Sequence, residues 1–167
     1  MLSLIGGGLI CITASYGGFY FADRLRKRYD FLRNMKSALL YISSQIEFGR
    51  YELRRIFSHI EDNPSLFGFF SMCADKIYKD GIEKAWSASL CSVSTNAFLK
   101  EPETEALFAL SKELGMSDVS GQKKAIALCV NLIDMSLESA KDEYERLSKT
   151  YRGCGILLGV FFLIIFA

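Results

Sequence analysis

Two uncharged apolar runs bracket this chain, and between them the apolar positions take up helical spacing. Leu2 to Ala22 is 21 residues without a charge, and Gly153 to Ala167 is 15 more. In the stretch between, Leu32, Met35, Leu39, Ile42, Ile46, Gly49, Leu53, Ile56 and Ile60 follow one another at steps of three and four. So do Ile126, Val130, Ile133, Leu137, Ala140, Tyr144, Leu147 and Tyr151. Such steps keep every residue on one stripe of a helix, and kept up this long they make a heptad seam. Breakers are few: Asn63-Pro64, Asp80-Gly81, Glu101-Pro102 and Gly115. No stretch alternates with period two, so the pattern predicts an all-α chain without a sheet. It comprises two long helices lying antiparallel, seam to seam, and shorter helices joining them.

The shorter pieces read as follows. Asn63 caps a turn opened by Pro64. The apolar set Leu66, Phe67, Phe69, Phe70, Met72 and Cys73 is wide, as for a helix that is buried or covered by a partner. Ala85, Trp86 and Leu90 point inward from the next piece, and Ala106, Leu107, Leu110 and Leu114 from the one after Pro102. Gly115 closes that helix, and Ser117 or Asp118 caps the last long one.

Charge turns the apolar ends into candidate membrane anchors. All 20 Lys+Arg and all 19 Asp+Glu fall within residues 23–152. At about 1.5 Å per residue the first run spans roughly 31 Å, one hydrocarbon core, and the second about 22 Å. The second is a short span, a half-inserted helix or a clipped span. The first charge is Asp23, so the basic region of a cleaved signal peptide is missing. The division expected is a membrane helix over 1–22, a helical domain over 23–152 and a short membrane helix over 153–167. Arg24, Arg26, Lys27 and Arg28 after the first run, and Lys149 and Arg152 before the second, put the domain in the cytoplasm. Tyr16, Phe19 and Tyr20 suit an interfacial aromatic belt. Ala14, Gly18 and Ala22, like Gly155 and Gly159, repeat every four residues. Such faces allow close helix approach, though glycine is also common in membrane helices generally. Gly49 has the same character within the first seam.

Candidate chemistry is sparse. His59 is the single histidine and has no motif around it. Gly6-Gly7-Gly8 lacks the lysine of a phosphate loop. Cys11, Cys73, Cys91, Cys129 and Cys154 are odd in number and form no C-x-x-C pair, which fits reduced thiols better than a disulfide framework or a metal site. No cofactor is implied, and a formal net charge of +1 gives no reason to propose a nucleic acid. The residue pattern alone leaves three classes open. One is a membrane-anchored interaction platform. The second is a self-associating scaffold or signalling stalk whose seams pair between chains. The third is a hydrolase using His59.

Several stretches resemble one family. They are Ala38-Leu39, then Gln45-Ile46-Glu47-Phe48-Gly49 and Leu53; Lys84-Ala85-Trp86; Leu110 with Leu114-Gly115-Met116-Ser117-Asp118; Gln122-Lys123; and Gly155-x-x-x-Gly159. In order and spacing they resemble the stage III sporulation protein AB family of spore-forming Gram-positive bacteria, over the whole length. Where that family often has a proline two residues after its glycine, this chain reads Arg50-Tyr51-Glu52-Leu53, consistent with an unbroken helix. The resemblance implies a non-enzymatic component of a complex between mother cell and forespore. It implies likeness to the helical cytoplasmic domains of type II secretion platform proteins. It also implies a location in the outer forespore membrane facing the mother-cell cytoplasm, and binding to a secretion-type ATPase, stage III sporulation protein AA. A bulky ATPase needs clearance from lipid, so its surface is expected at the end of the domain away from the membrane. The charges expected there are Glu61, Asp62, Lys79, Asp80, Lys100, Glu101, Glu103, Asp118 and Lys123.

Overall fold

A computed structural model describes residues 2–48, 52–60, 63–115 and 118–166, with few of the side chains at the two ends. In order, these residues form α1 (Leu2–Glu47), α2 (Leu53–His59), a 3-10 turn (Pro64–Leu66), α3 (Phe69–Ala97), α4 (Glu101–Glu113) and α5 (Val119–Phe166). No strand occurs among the described residues, as the absence of period-two alternation requires. The chain divides into two compact units, Lys27–Glu138 and the paired ends Met1–Arg26 with Ser139–Ala167.

Within the Lys27–Glu138 unit the two seams meet. Leu32, Met35, Leu39, Ile42 and Ile46 are buried on α1, and Ile126, Val130 and Ile133 on α5. Lys36 pairs with Asp134; eleven residues further along α1, Glu47 pairs with Lys123, eleven residues back along α5. Equal steps in opposite directions make the helices antiparallel and fix their register within one chain. These pairs are largely solvated and contribute little; the apolar stripes carry the association.

The first seam does not continue as one helix. Helix α1 ends at Glu47, and the chain restarts at α2 after Glu52, whose backbone is extended (φ −62°, ψ 145°). Ile46 and Leu53 are seven residues apart, one heptad, so the break leaves the apolar phase unchanged and the sequence does not register it. Ile56 and Phe57 belong to another part of the core: the Phe57 ring lies 5.6 Å from Phe70 and 5.8 Å from Trp86.

Helix α3 doubles back on itself. A straight helix would hold Phe69 and Trp86 roughly 25 Å apart. Their rings meet edge to face at 4.8 Å. The reversal is at Gly81 (φ 76°, ψ 168°), a backbone region open in practice only to glycine. Residues 69–80 and 82–97 are therefore two antiparallel arms. The wide apolar set that opens α3 is covered by its own chain, with Leu66, Phe69, Phe70 and Cys73 all buried. Trp86 Nε1 donates to the Leu107 carbonyl at 2.9 Å, joining the second arm to α4.

Helix α4 is tied to α1 by a buried ion pair. The Glu103 carboxylate accepts from Arg28 Nε at 2.9 Å and from its Nη2. The other carboxylate oxygen accepts from the Lys100 backbone N–H at 2.8 Å, closing the first turn of α4. Caps appear where the sequence placed them. Asn63 accepts from Ser65 N, Asp118 accepts from Gly121 N at 2.9 Å, and Gly115 stands just past the end of α4 with φ 80°.

Cys73, Cys91, Cys129 and Cys154 are free thiols. Burial pushes Cys73 from 9.0 up to about 11, against the opposing effects of the Ser89 hydroxyl and the Lys76 charge. Burial alone takes Cys129 to about 12.

In the unit of paired ends, Gly18 and Ala22 are buried. The ring of Phe21 on α1 stacks on Tyr151 of α5 at 5.6 Å. Among the described residues, no helix is long and apolar enough to cross a membrane.

Three expectations follow from this packing. Leu39→Ala or Ile133→Ala lowers stability by about 2–5 kcal/mol in urea melts of the solubilised chain; an unchanged midpoint would contradict the seam. Glu103→Ala costs about 3–5 kcal/mol because it removes the carboxylate that neutralises the buried Arg28 guanidinium, and the joint change Arg28→Met with Glu103→Leu restores most of that loss. The buried thiols stay protonated in the fold while those of the unfolded chain ionise near pH 9, so stability present below pH 9 is lost as pH rises toward 11–12. Melting temperature should fall over that window, and less steeply in a Cys73→Ala/Cys129→Ala variant; identical slopes would remove the thiols from the account.

Candidate functional site

The candidate interaction residues fall at two opposite ends of the Lys27–Glu138 unit. One end is where several turns converge. A Cβ built on Gly115 would lie 3.1 Å from Ile82 Cγ2 and 3.6 Å from Leu53 Cδ1. The α4–α5 turn, the α3 reversal and the start of α2 are thus neighbours there. Lys79 and Asp80 are exposed on the arm that enters that reversal. Asp118 is exposed, and its carboxylate caps α5. One turn later Lys123 reaches Glu47 at 2.7 Å, where α1 ends. This end presents both signs of charge on short connections, with Lys79 and Asp80 exposed.

Glu101 and Glu103 stand at the other end. Helix α4 runs from the level of Arg28 toward Gly115, parallel to α1, so its first turn lies beside the start of the seam. The sequence grouped both residues with Lys79, Asp80 and Asp118; the structure separates them. Glu101 is exposed, whereas Glu103 is 1% exposed and committed to Arg28 and Lys100. Burying an unneutralised carboxylate is so costly that the guanidinium is a structural requirement, and Glu103 is unavailable to a partner. Arg28 likewise does not act as a free flanking charge. The only local hint was the spacing Lys100-x-x-Glu103, a capping-box distance. Gly49, Glu61 and Asp62 lie outside the described residues, as do the surroundings of Gly155 and Gly159 within α5.

Two surface features went unnoticed in the sequence. On α5, Leu128, Leu132 and Met135 are exposed at 63%, 44% and 72%, a stripe on the face opposite the buried one. Leu128 and Leu132 also line a groove of about 230 Å³ with Ala106, Leu110 and Ala125. A second groove, about 320 Å³, is lined by Tyr41, His59, Asn63 and Leu66 among others. His59 is exposed there. Among the described residues no group of His, Cys, Asp and Glu is arranged to hold a metal ion.

The known proteins most informative for this arrangement all point one way. A solved structure titled stage III sporulation protein AB (SpoIIIAB) superposes with a TM-score of 0.64 at 26% identity, covering 71% of this chain and 96% of the other. Stage III sporulation protein AB of Bacillus subtilis (strain 168) is 27% identical over 170 residues, 99% of each chain. The profile of the family described as stage III sporulation protein AB matches residues 3–167. With the match running through both apolar ends and the helical unit between them, the chain belongs to the stage III sporulation protein AB family.

Proposed function

We propose that this chain is a non-enzymatic, membrane-anchored platform in a secretion or channel complex between mother cell and forespore. Its two uncharged ends hold it in the outer forespore membrane. Residues 23–152 face the mother-cell cytoplasm, where they receive a secretion-type ATPase, stage III sporulation protein AA, alongside other members of the complex. Gly155 and Gly159 allow close packing of the second anchor, as Gly18 and Ala22 do for the first. The observation that carries this reading is the span of the family match: residues 3–167 include both anchors and the domain, so what the family implies attaches to the whole chain.

Geometry narrows the docking surface. The end bearing Lys79, Asp80, Asp118 and Lys123 is where α1 finishes and α5 begins, the point at which each long helix is furthest along the chain from its own apolar end. The partner docks there in this reading, and Glu101, at the other end of the Lys27–Glu138 unit, falls outside its footprint. One observation favours the rival scaffold. The seams are used within the chain, but the Leu128, Leu132 and Met135 stripe remains for pairing between chains.

The test is the affinity of the full chain, solubilised, for the ATPase. Reversing Lys79→Glu and Asp80→Lys together should weaken binding roughly tenfold, about 1.4 kcal/mol, through like-charge contacts. Glu101→Lys, at the other end, should leave it unchanged. Equal affinity for all three would place the interface elsewhere, and no binding by the native chain would end the ATPase reading. The mass of the solubilised chain separates platform monomer from scaffold.

A further inference from the structure

The unit of paired ends carries an ordered layering of side chains. On α1, Tyr16 and the residues three and four further on, Phe19 and Tyr20, are exposed, away from the buried Gly18 and Ala22. Phe21 and Tyr151 stack, which sets the two helices level with one another at this point. The next turn of each helix, moving away from the apolar ends, is basic. It contributes Arg24 and Arg26 on α1 and Lys149 and Arg146 on α5, with Asp23 among them. Arg24 lies over the Phe21 ring, 5.8 Å from its centre, so cation and aromatic layers are in contact. On α5 the first charges met beyond Tyr151 in this direction, Lys149 and Arg146, are basic, and Glu145, Glu143, Asp142 and Lys141 follow them.

That sequence of layers matches one environment. Aromatic rings settle at the boundary between acyl chains and headgroups. Arg24 and Arg26 are three and five residues beyond Phe21, about 4.5–7.5 Å along the helix. That is the depth at which phosphates lie, since headgroups add roughly 5–8 Å to each side of the hydrocarbon core. Each basic residue near an anionic surface favours binding by about fivefold.

We propose that Arg24, Arg26, Arg146 and Lys149 form a collar that recognises the headgroups of anionic phospholipids, with the Tyr16–Tyr20 aromatics and Tyr151 setting its depth. This rests on the anchoring proposed above and adds to it a chemical preference among lipids. A membrane holding more anionic lipid would then concentrate the chain.

The experiment places the full chain in nanodiscs of mixed phosphatidylcholine and phosphatidylglycerol. It measures the ratio in which spin-labelled versions of the two lipids are immobilised against the protein. The native chain should favour phosphatidylglycerol severalfold at low salt, and the preference should shrink at high salt. Replacing Arg24, Arg26, Arg146 and Lys149 by Gln should bring the ratio near one. Replacing Lys79, Lys112 and Lys124 by Gln should leave the native ratio. A native ratio near one, or a preference that survives in the collar variant, overturns the proposal while leaving the anchors standing. Release of the native chain from vesicles by alkaline carbonate overturns both.

Discussion

A carboxylate that cannot reach water organises much of the helical unit. Glu103 is held by Arg28 on one oxygen and by the start of its own helix on the other. Sliding or rotating α4 by one residue would leave two opposite charges buried apart, an arrangement worth several kcal/mol less than the observed one. The pair therefore adds little net stability compared with an apolar replacement, yet it makes wrong registers costly. Other contacts inherit that placement. With α4 fixed, the Leu107 carbonyl stands where Trp86 can donate to it. Trp86 in turn anchors Phe57, Phe69 and Phe70 around one indole.

The sequence carried the helices and their inward faces well because both are local properties. Every breaker it offered, from Asn63-Pro64 to Gly115, marks a boundary or a reversal, and Leu32 to Ile46 of the first stripe and Ile126 to Ile133 of the second are buried. It failed at Glu103 for a physical reason. Within Glu101-Pro102-Glu103-Thr104-Glu105 this residue has the surroundings of a solvated acid favouring a helix N-terminus, and its partner is 75 residues away. The end of α1 at Glu47 was hidden in a similar way, since a break spanning one heptad preserves phase. The doubling back of α3 was half visible. Gly81 announced a break, but the direction of the returning arm depends on Trp86 finding Phe69 and Leu107, which no local pattern encodes.

These misreadings bear on function. Grouped by sequence, the loop charges formed one surface; grouped by structure, they belong to two ends with different duties. Glu103 and Arg28 maintain the fold at one. Lys79 and Asp80 are exposed beside the crowded turns at the other, where the backbone is already held by Gly115 against Ile82 and Leu53.

The two tight glycines differ in what they exclude. At Gly115 a Cβ meets Ile82 at 3.1 Å, so volume as well as backbone angle opposes a side chain. At Gly81 such a Cβ meets no more distant part of the described chain within 4 Å, and the constraint resides in φ 76° and ψ 168°. Those angles mirror the extended region that ordinary residues prefer. The reversal of α3 thus selects on handedness and is indifferent to size. A D-alanine would sit there without strain and would narrow the unfolded chain's choices by about 0.4–1 kcal/mol, whereas no genetically encoded L-residue fits the same turn without cost.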